Sequence, residues 1–133
     1  MSTIGHPLSD LANLLSPYSF AVDPPNDAME SYCNPAFHPS TRPSGLPQQS
    51  KCLEWYAEIT GWNPADELEW GHIFATFRNG IIMQGVAARY AQRQASSEKA
   101  NQVANMMDPN GRFSWGLIER WRQRHPRREG AKL

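Results

Sequence analysis

A chain of 133 residues, 40% of them apolar, suits one domain with a core of its own and needs no disulfide framework or structural metal. A formal net charge of zero excludes a chain that is basic overall and built for nucleic acid. No run approaches the roughly 18 apolar residues of a membrane helix, and no basic stretch with an apolar core marks a secretory leader near residue 1.

The charge is unevenly spread. Residues 1–69 hold two basic side chains, Arg42 and Lys51, against nine acidic ones, whereas residues 70–133 hold eleven basic against four acidic. Such asymmetry favours docking within the chain or on a partner. The basic residues near the end, Arg120, Arg122, Arg124, Arg127, Arg128 and Lys132, also read as a solvated tail. Cys33 and Cys52 are too few for a disulfide scaffold, and no Asn-x-Ser/Thr acceptor occurs. Both facts fit a reducing, intracellular compartment.

The first helix is predicted over about residues 7–15. Pro7 suits a first helical position, Leu8, Leu11, Ala12 and Leu15 form the apolar stripe, and Pro17 is expected to stop it. Seven prolines between residues 16 and 47 predict an extended, irregular segment. Tyr18, Phe20, Tyr32 and Phe37 point to that segment lying on a surface.

A second helix is predicted over 48–60, with Cys52, Trp55, Tyr56 and Ile59 as its stripe and Gly61 as a left-handed terminator. The third, over 66–93, is apolar around much of its circumference (Ile73, Phe74, Phe77, Ile81, Ile82, Met83, Val86) and is expected to be buried between neighbours. Gly80 and Gly85 inside it point to close backbone approaches. A fourth helix, over 97–107, follows a Ser96/Ser97 cap and carries Ala100, Val103, Ala104 and Met107. Asp108-Pro109-Asn110-Gly111 reads as a turn before a fifth helix over 113–124 with Phe113, Leu117, Ile118 and Trp121. The class is all-α: about five helices with a long Pro-rich irregular segment, forming a single domain over 1–124 and a basic tail over 125–133.

The chemistry-bearing motifs are missing from this pattern. The four histidines stand in His6-Pro7-Leu8, His38-Pro39-Ser40, His72-Ile73-Phe74 and His125-Pro126-Arg127, so no His-x-Asp occurs. The Gly80–Gly85 spacing is followed by Val86-Ala87 rather than Lys-Ser/Thr, and it lies within a helix. The histidines and cysteines are too dispersed for a zinc site, and no Gly-x-Ser-x-Gly elbow exists. Asp66, Glu67 and Glu69 read as acids favoured by a helix dipole.

Three blocks carry a family resemblance: Ser2 to Tyr18; Gly45-Leu46-Pro47 through Tyr56-Ala57-Glu58-Ile59-Thr60-Gly61; and Phe74 to Ala100, with Arg78, Ile81-Ile82-Met83-Gln84-Gly85 and Ala95-Ser96-Ser97. They resemble the carboxy-terminal helical part of the aminoglycoside phosphotransferase / choline-kinase-like family. The branch is the one that also supplies a kinase-like domain to acyl-CoA dehydrogenase family members. The resemblance implies that Gly5, Pro7 and Asp10 belong to a structural motif following an Asp-Trp-Glu metal-binding segment, with Asp10 bracing a catalytic loop. It implies that Trp70, His72 and Arg78 lie on the acceptor-substrate side. Arg78 would hold an anionic acceptor group or serve as a structural arginine paired to an acid or carbonyl. ATP and magnesium are implied only for a full-length relative, and no cofactor, metal ligand or catalytic residue is expected in this chain. The chain is expected to be a truncated, non-catalytic fragment or paralogue. The alternative is a helical interaction module, binding a protein or a second copy through an exposed apolar face, with no nucleic acid and no membrane span. Ala131-Lys132-Leu133 resembles a peroxisomal address, with a cytoplasmic location otherwise.

Overall fold

The computed structural model describes residues 5–22, 33–94 and 97–126. Five α-helices make up the described fold: α1 (Leu8–Val22), α2 (Gln49–Thr60), α3 (Leu68–Ala91), α4 (Ala100–Asn105) and α5 (Met107–Arg124). A 3-10 turn at Pro35–Phe37 lies between α1 and α2, and no strand occurs among the described residues. The all-α expectation holds. No helix among the described residues is long and apolar enough to cross a membrane. Arg127, Arg128, the Ala131-Lys132-Leu133 tripeptide, Tyr32 and Ser96 lie outside the described residues.

α3 is the central element, with α1 on one side and α4 and α5 against other parts of its length. Leu11, Ala12, Leu15 and Tyr18 of α1 are buried with Leu68 and Ala75 of α3. Leu11, Ala12 and Leu15 lie on one helical face, as the sequence predicted, and Tyr18 extends that face beyond the predicted end of the helix. Full burial of a leucine side chain stabilises by about 2 kcal/mol, so this seam holds the amino-terminal half. A second cluster joins Met106 and Phe113 to Phe20, Met83 and Leu117.

Pro17 does not stop α1; the helix runs on to Val22. Proline removes the N–H that would bond the carbonyl of Asn13. Ser16 Oγ donates to that carbonyl instead, at 2.9 Å. Beyond the proline, Tyr18 is buried and Phe20 packs on Phe113 with centroids 5.1 Å apart, which rewards continuing the helix. The irregular segment is thus shorter than 16–47. Its described part lies on α1: Phe37 meets Tyr18 edge-on at 4.9 Å, and Tyr18 Oη donates to the Pro47 carbonyl at 2.8 Å.

α2 turns a different face inward than its spacing predicted. Cys52, Leu53 and Tyr56 pack on the core, while Trp55 and Ile59 are exposed. Gly61 does end α2, at φ 73°, donating its N–H to Ala57 O. Asp108-Pro109-Asn110-Gly111 forms the first turns of α5 rather than a separate turn. Pro109 is tolerated there because an N–H in the first turn of a helix has no intrahelical partner. Met106 is buried, whereas Met107, expected on the inner stripe, is exposed.

Of the two glycines expected at close backbone approaches, Gly80 meets a side chain instead of a backbone, and Gly85 meets nothing close. A Cβ on Gly80 would stand 3.0 Å from Asn110 Nδ2, whereas one on Gly85 would meet nothing closer than Arg89 Nη1 at 3.8 Å. The tightest approach is at Gly71, where a Cβ would lie 2.9 Å from Ala12 Cβ and 3.0 Å from Leu8 Cγ. Gly71 is what lets α1 cross α3 so closely.

Candidate functional site

The residues of the implied structural motif cluster at the start of α1. Pro7 O accepts from the N–H groups of Asp10 and Leu11, so Pro7 sits at the helix entrance as its ring geometry favours. His6 Nδ1 accepts from Leu8 N at 3.3 Å, and the His6 ring meets Trp62 edge-on. Asp10 lies exposed in the first turn, and Gly5 is exposed with open space around it.

Trp70, His72 and Arg78 share α3 but not a face. Arg78 Nη1 donates to Ser9 Oγ at 2.8 Å, joining α3 to α1 through a hydroxyl rather than an acid or carbonyl. His72 is buried, and its Nδ1 lies 2.7 Å from Ser19 Oγ, also on α1. Burial pushes its pKa down to about 4, so the ring is neutral near pH 7. Its Nε2 is buried with no hydrogen-bond partner. Both side chains therefore fasten α1 to α3, and of the three only Trp70 faces open space.

Trp70 belongs to an exposed stripe along α3 with Phe74, Phe77 and Ile81; the four are 47–56% exposed. The spacing places them on one helical face. α5 supplies the facing wall. The Trp70 and Trp121 rings lie 5.6 Å apart, and His125 stacks on Trp121 at 4.7 Å, one helical turn further on. Between the two helices opens a cleft of about 700 Å³, lined by Trp70, Phe74, Phe77, Ile118, Trp121, Arg122 and His125 among others. A second hollow continues it past Trp70 toward His6, Ser9, Asp66 and Glu67.

A buried polar chain fixes the two walls. Asn110 Nδ2 of α5 donates to Thr76 O of α3 at 3.1 Å, and Ser114 Oγ donates to Asn110 O at 2.9 Å. Thr76 Oγ1 in turn donates to His72 O. Gly80 makes room for the Asn110 amide, which is the physical reason for a glycine inside α3. At the outer end, Arg124 of α5 pairs with Glu69 of α3.

The cleft offers apolar surface and positive charge, with no nucleophile and no acid–base pair. Arg122 stands at its margin with its guanidinium over the Trp115 ring, 5.7 Å from the centroid. Among the described residues no group of three or more His, Cys, Asp or Glu side chains could hold a metal ion. Sequence reasoning placed Trp121 on the stripe of the fifth helix but named neither Arg122 nor His125 as a site residue. No sequence signal singles out Arg122 or His125, because each lines the cleft only by where α5 faces α3.

Comparison with known proteins agrees with the resemblance in its coarser form. The chain is 33% identical over 111 residues, 82% of its length, to acyl-CoA dehydrogenase family member 11 of Pongo abelii. It is 32% identical over 111 residues to the protein of that name in Homo sapiens. It is thus a distant homologue of part of these proteins, spanning 13% of the length of each. No protein-family model matches the chain, and no solved structure matches it.

Proposed function

We propose that this chain forms the substrate-side, helical part of an aminoglycoside/choline-type phosphotransferase-like fold and does not catalyse phosphoryl transfer by itself. The observation that carries this reading is the open cleft between α3 and α5, walled by Trp70 and Phe74 in the segment that resembles the acceptor side of that family. The homology to acyl-CoA dehydrogenase family member 11, over 82% of the chain, supports the branch. Phosphoryl transfer needs a catalytic carboxylate, a magnesium-holding carboxylate and a phosphate cradle. The sequence supplies no His-x-Asp, no Asp-Trp-Glu and no phosphate loop. The residues present can bind and orient an acceptor; ATP and magnesium are implied only for a full-length relative.

Calorimetric titration of the purified chain with ATP at millimolar magnesium tests this reading. No heat of binding is expected. Saturable, magnesium-dependent nucleotide binding would overturn it.

A second reading is supported by one further feature. The apolar stripe of α3 continues beyond the cleft into Ile81 and Ile82, both more than half exposed, and surface of this kind suits a protein contact. On that reading the chain is a helical interaction module, and sedimentation would show self-association that Ile82→Glu abolishes.

A further inference from the structure

We propose that the α3–α5 cleft binds a small amphiphilic organic anion, with its apolar body against Trp70, Phe74 and Trp121 and its anionic head at Arg122. The inference rests on the reading of this cleft as ligand-facing, and adds the chemical class of the ligand.

Three observations converge. The first is size: about 700 Å³ lies in the range of small-molecule sites. The second is the lining, chiefly aromatic and aliphatic side chains whose burial by a ligand is favourable in proportion to apolar area. The third is charge. Arg122 and His125 are the ionisable groups that line the cleft, and no carboxylate lines it. The neighbouring cation Arg124 is already engaged by Glu69. The Arg122 guanidinium lies over the Trp115 ring, 5.7 Å from its centroid, and its N–H donors suit an oxyanion. Asp66 and Glu67 line the continuing hollow beyond Trp70 and repel an anion there, so the head group is directed to the Arg122 end.

The same charges argue against a second copy as the occupant. A two-fold contact centred on the cleft would bring Arg122 of both copies to one seam, with no carboxylate among the cleft's own lining residues to pair with them.

The test is titration of the full chain with dodecanoate monomer, followed by tryptophan fluorescence, beside the neutral isostere dodecanol and vesicles containing phosphatidylglycerol. Saturable one-to-one binding of dodecanoate is expected, tighter than dodecanol and weakened by raising the salt. Arg122→Gln is expected to weaken dodecanoate about tenfold, the effect of losing one charge-assisted hydrogen bond, and to leave dodecanol unchanged. Arg122→Lys is expected to restore part of the loss. Equal affinity for dodecanoate and dodecanol, independent of salt, would overturn the proposal on the unaltered protein, whatever the variants do. Uptake by vesicles without monomer binding would assign the surface to a lipid bilayer instead. A dimer that excludes dodecanoate would assign it to self-association. Nucleotide binding plays no part in these titrations, so the phosphotransferase reading and this one fail by different measurements.

Discussion

Trp70 and Trp121 bring their ring centroids to 5.6 Å at an interplanar angle of 48°, joining α3 to α5 at the cleft between those helices. Fifty-one residues apart in sequence, they meet because α5 is held along α3, by Asn110 on Thr76 toward one end and by Arg124 with Glu69 beside the rings. The pair predicts a coupling. In a double-mutant cycle with Trp70→Ala and Trp121→Ala, urea unfolding is expected to give an interaction of about 1 kcal/mol, typical of aromatic pairs in contact. A coupling of zero would mean that the rings do not meet in solution.

Two glycines of α3 are expected to respond oppositely. Gly71→Ala places a methyl 2.9 Å from Ala12 Cβ, and forcing α1 away is expected to cost about 1–3 kcal/mol. Gly85→Ala meets only ordinary contact with Arg89. It is expected to stabilise by up to about 1 kcal/mol through helix propensity. Thermal or urea denaturation of the two variants checks the contrast.

Pro17 gives a third prediction. Pro17→Ala restores the N–H that the helix lacks opposite Asn13 and is expected to raise stability by about 1–2 kcal/mol, part of the usual cost of an internal proline being offset by the stiffer unfolded chain. Ser16→Ala removes the hydroxyl that serves Asn13 O, with an expected loss of about 1 kcal/mol in the parent. In the Pro17→Ala background the Ser16 effect is expected to shrink, because Asn13 then has its backbone partner. Equilibrium unfolding of the four proteins measures all three terms.

His72 makes stability depend on pH. Its pKa falls from an ordinary 6.5 to about 4 because burial disfavours the charged ring. The unfolded chain therefore takes up the proton first. Stability from this group is fully present above about pH 6.5 and is lost as pH falls toward about 4, by about 3 kcal/mol at most. Urea midpoints from pH 7 to pH 4 are expected to fall more steeply for the parent than for His72→Gln. Equal slopes would contradict a buried neutral histidine.

Much of this fold is legible in the sequence because helical periodicity is local. Leu11 and Leu15 declare the inner face of α1, and Gly61 declares the end of α2. Misreadings arose where a local rule was outvoted by something distant or by a single neighbour. Pro17 reads as a stop until Ser16 and the buried Tyr18 are set against it. Asp108-Pro109-Asn110-Gly111 reads as a turn until Asn110 is seen bonded to Thr76 across the helix pair. Ile59 reads as core, yet α2 docks through Leu53 and leaves it exposed. The site was half legible. Trp70 stood out as a residue of the resembling segment, but His72 and Arg78, named beside it, turn toward Ser19 and Ser9 on α1. Arg122 could not be found from sequence, because its role follows from facing α3 across the cleft.

A ¹H–¹⁵N spectrum of the chain, recorded during successive additions of magnesium-ATP and dodecanoate, tests most directly whether the α3–α5 cleft takes an acceptor-like ligand without nucleotide. No response to magnesium-ATP is expected, and saturable shifts of the Trp70 and Trp121 indole resonances with dodecanoate. Shifts on magnesium-ATP, with both indoles silent to dodecanoate, would contradict that expectation.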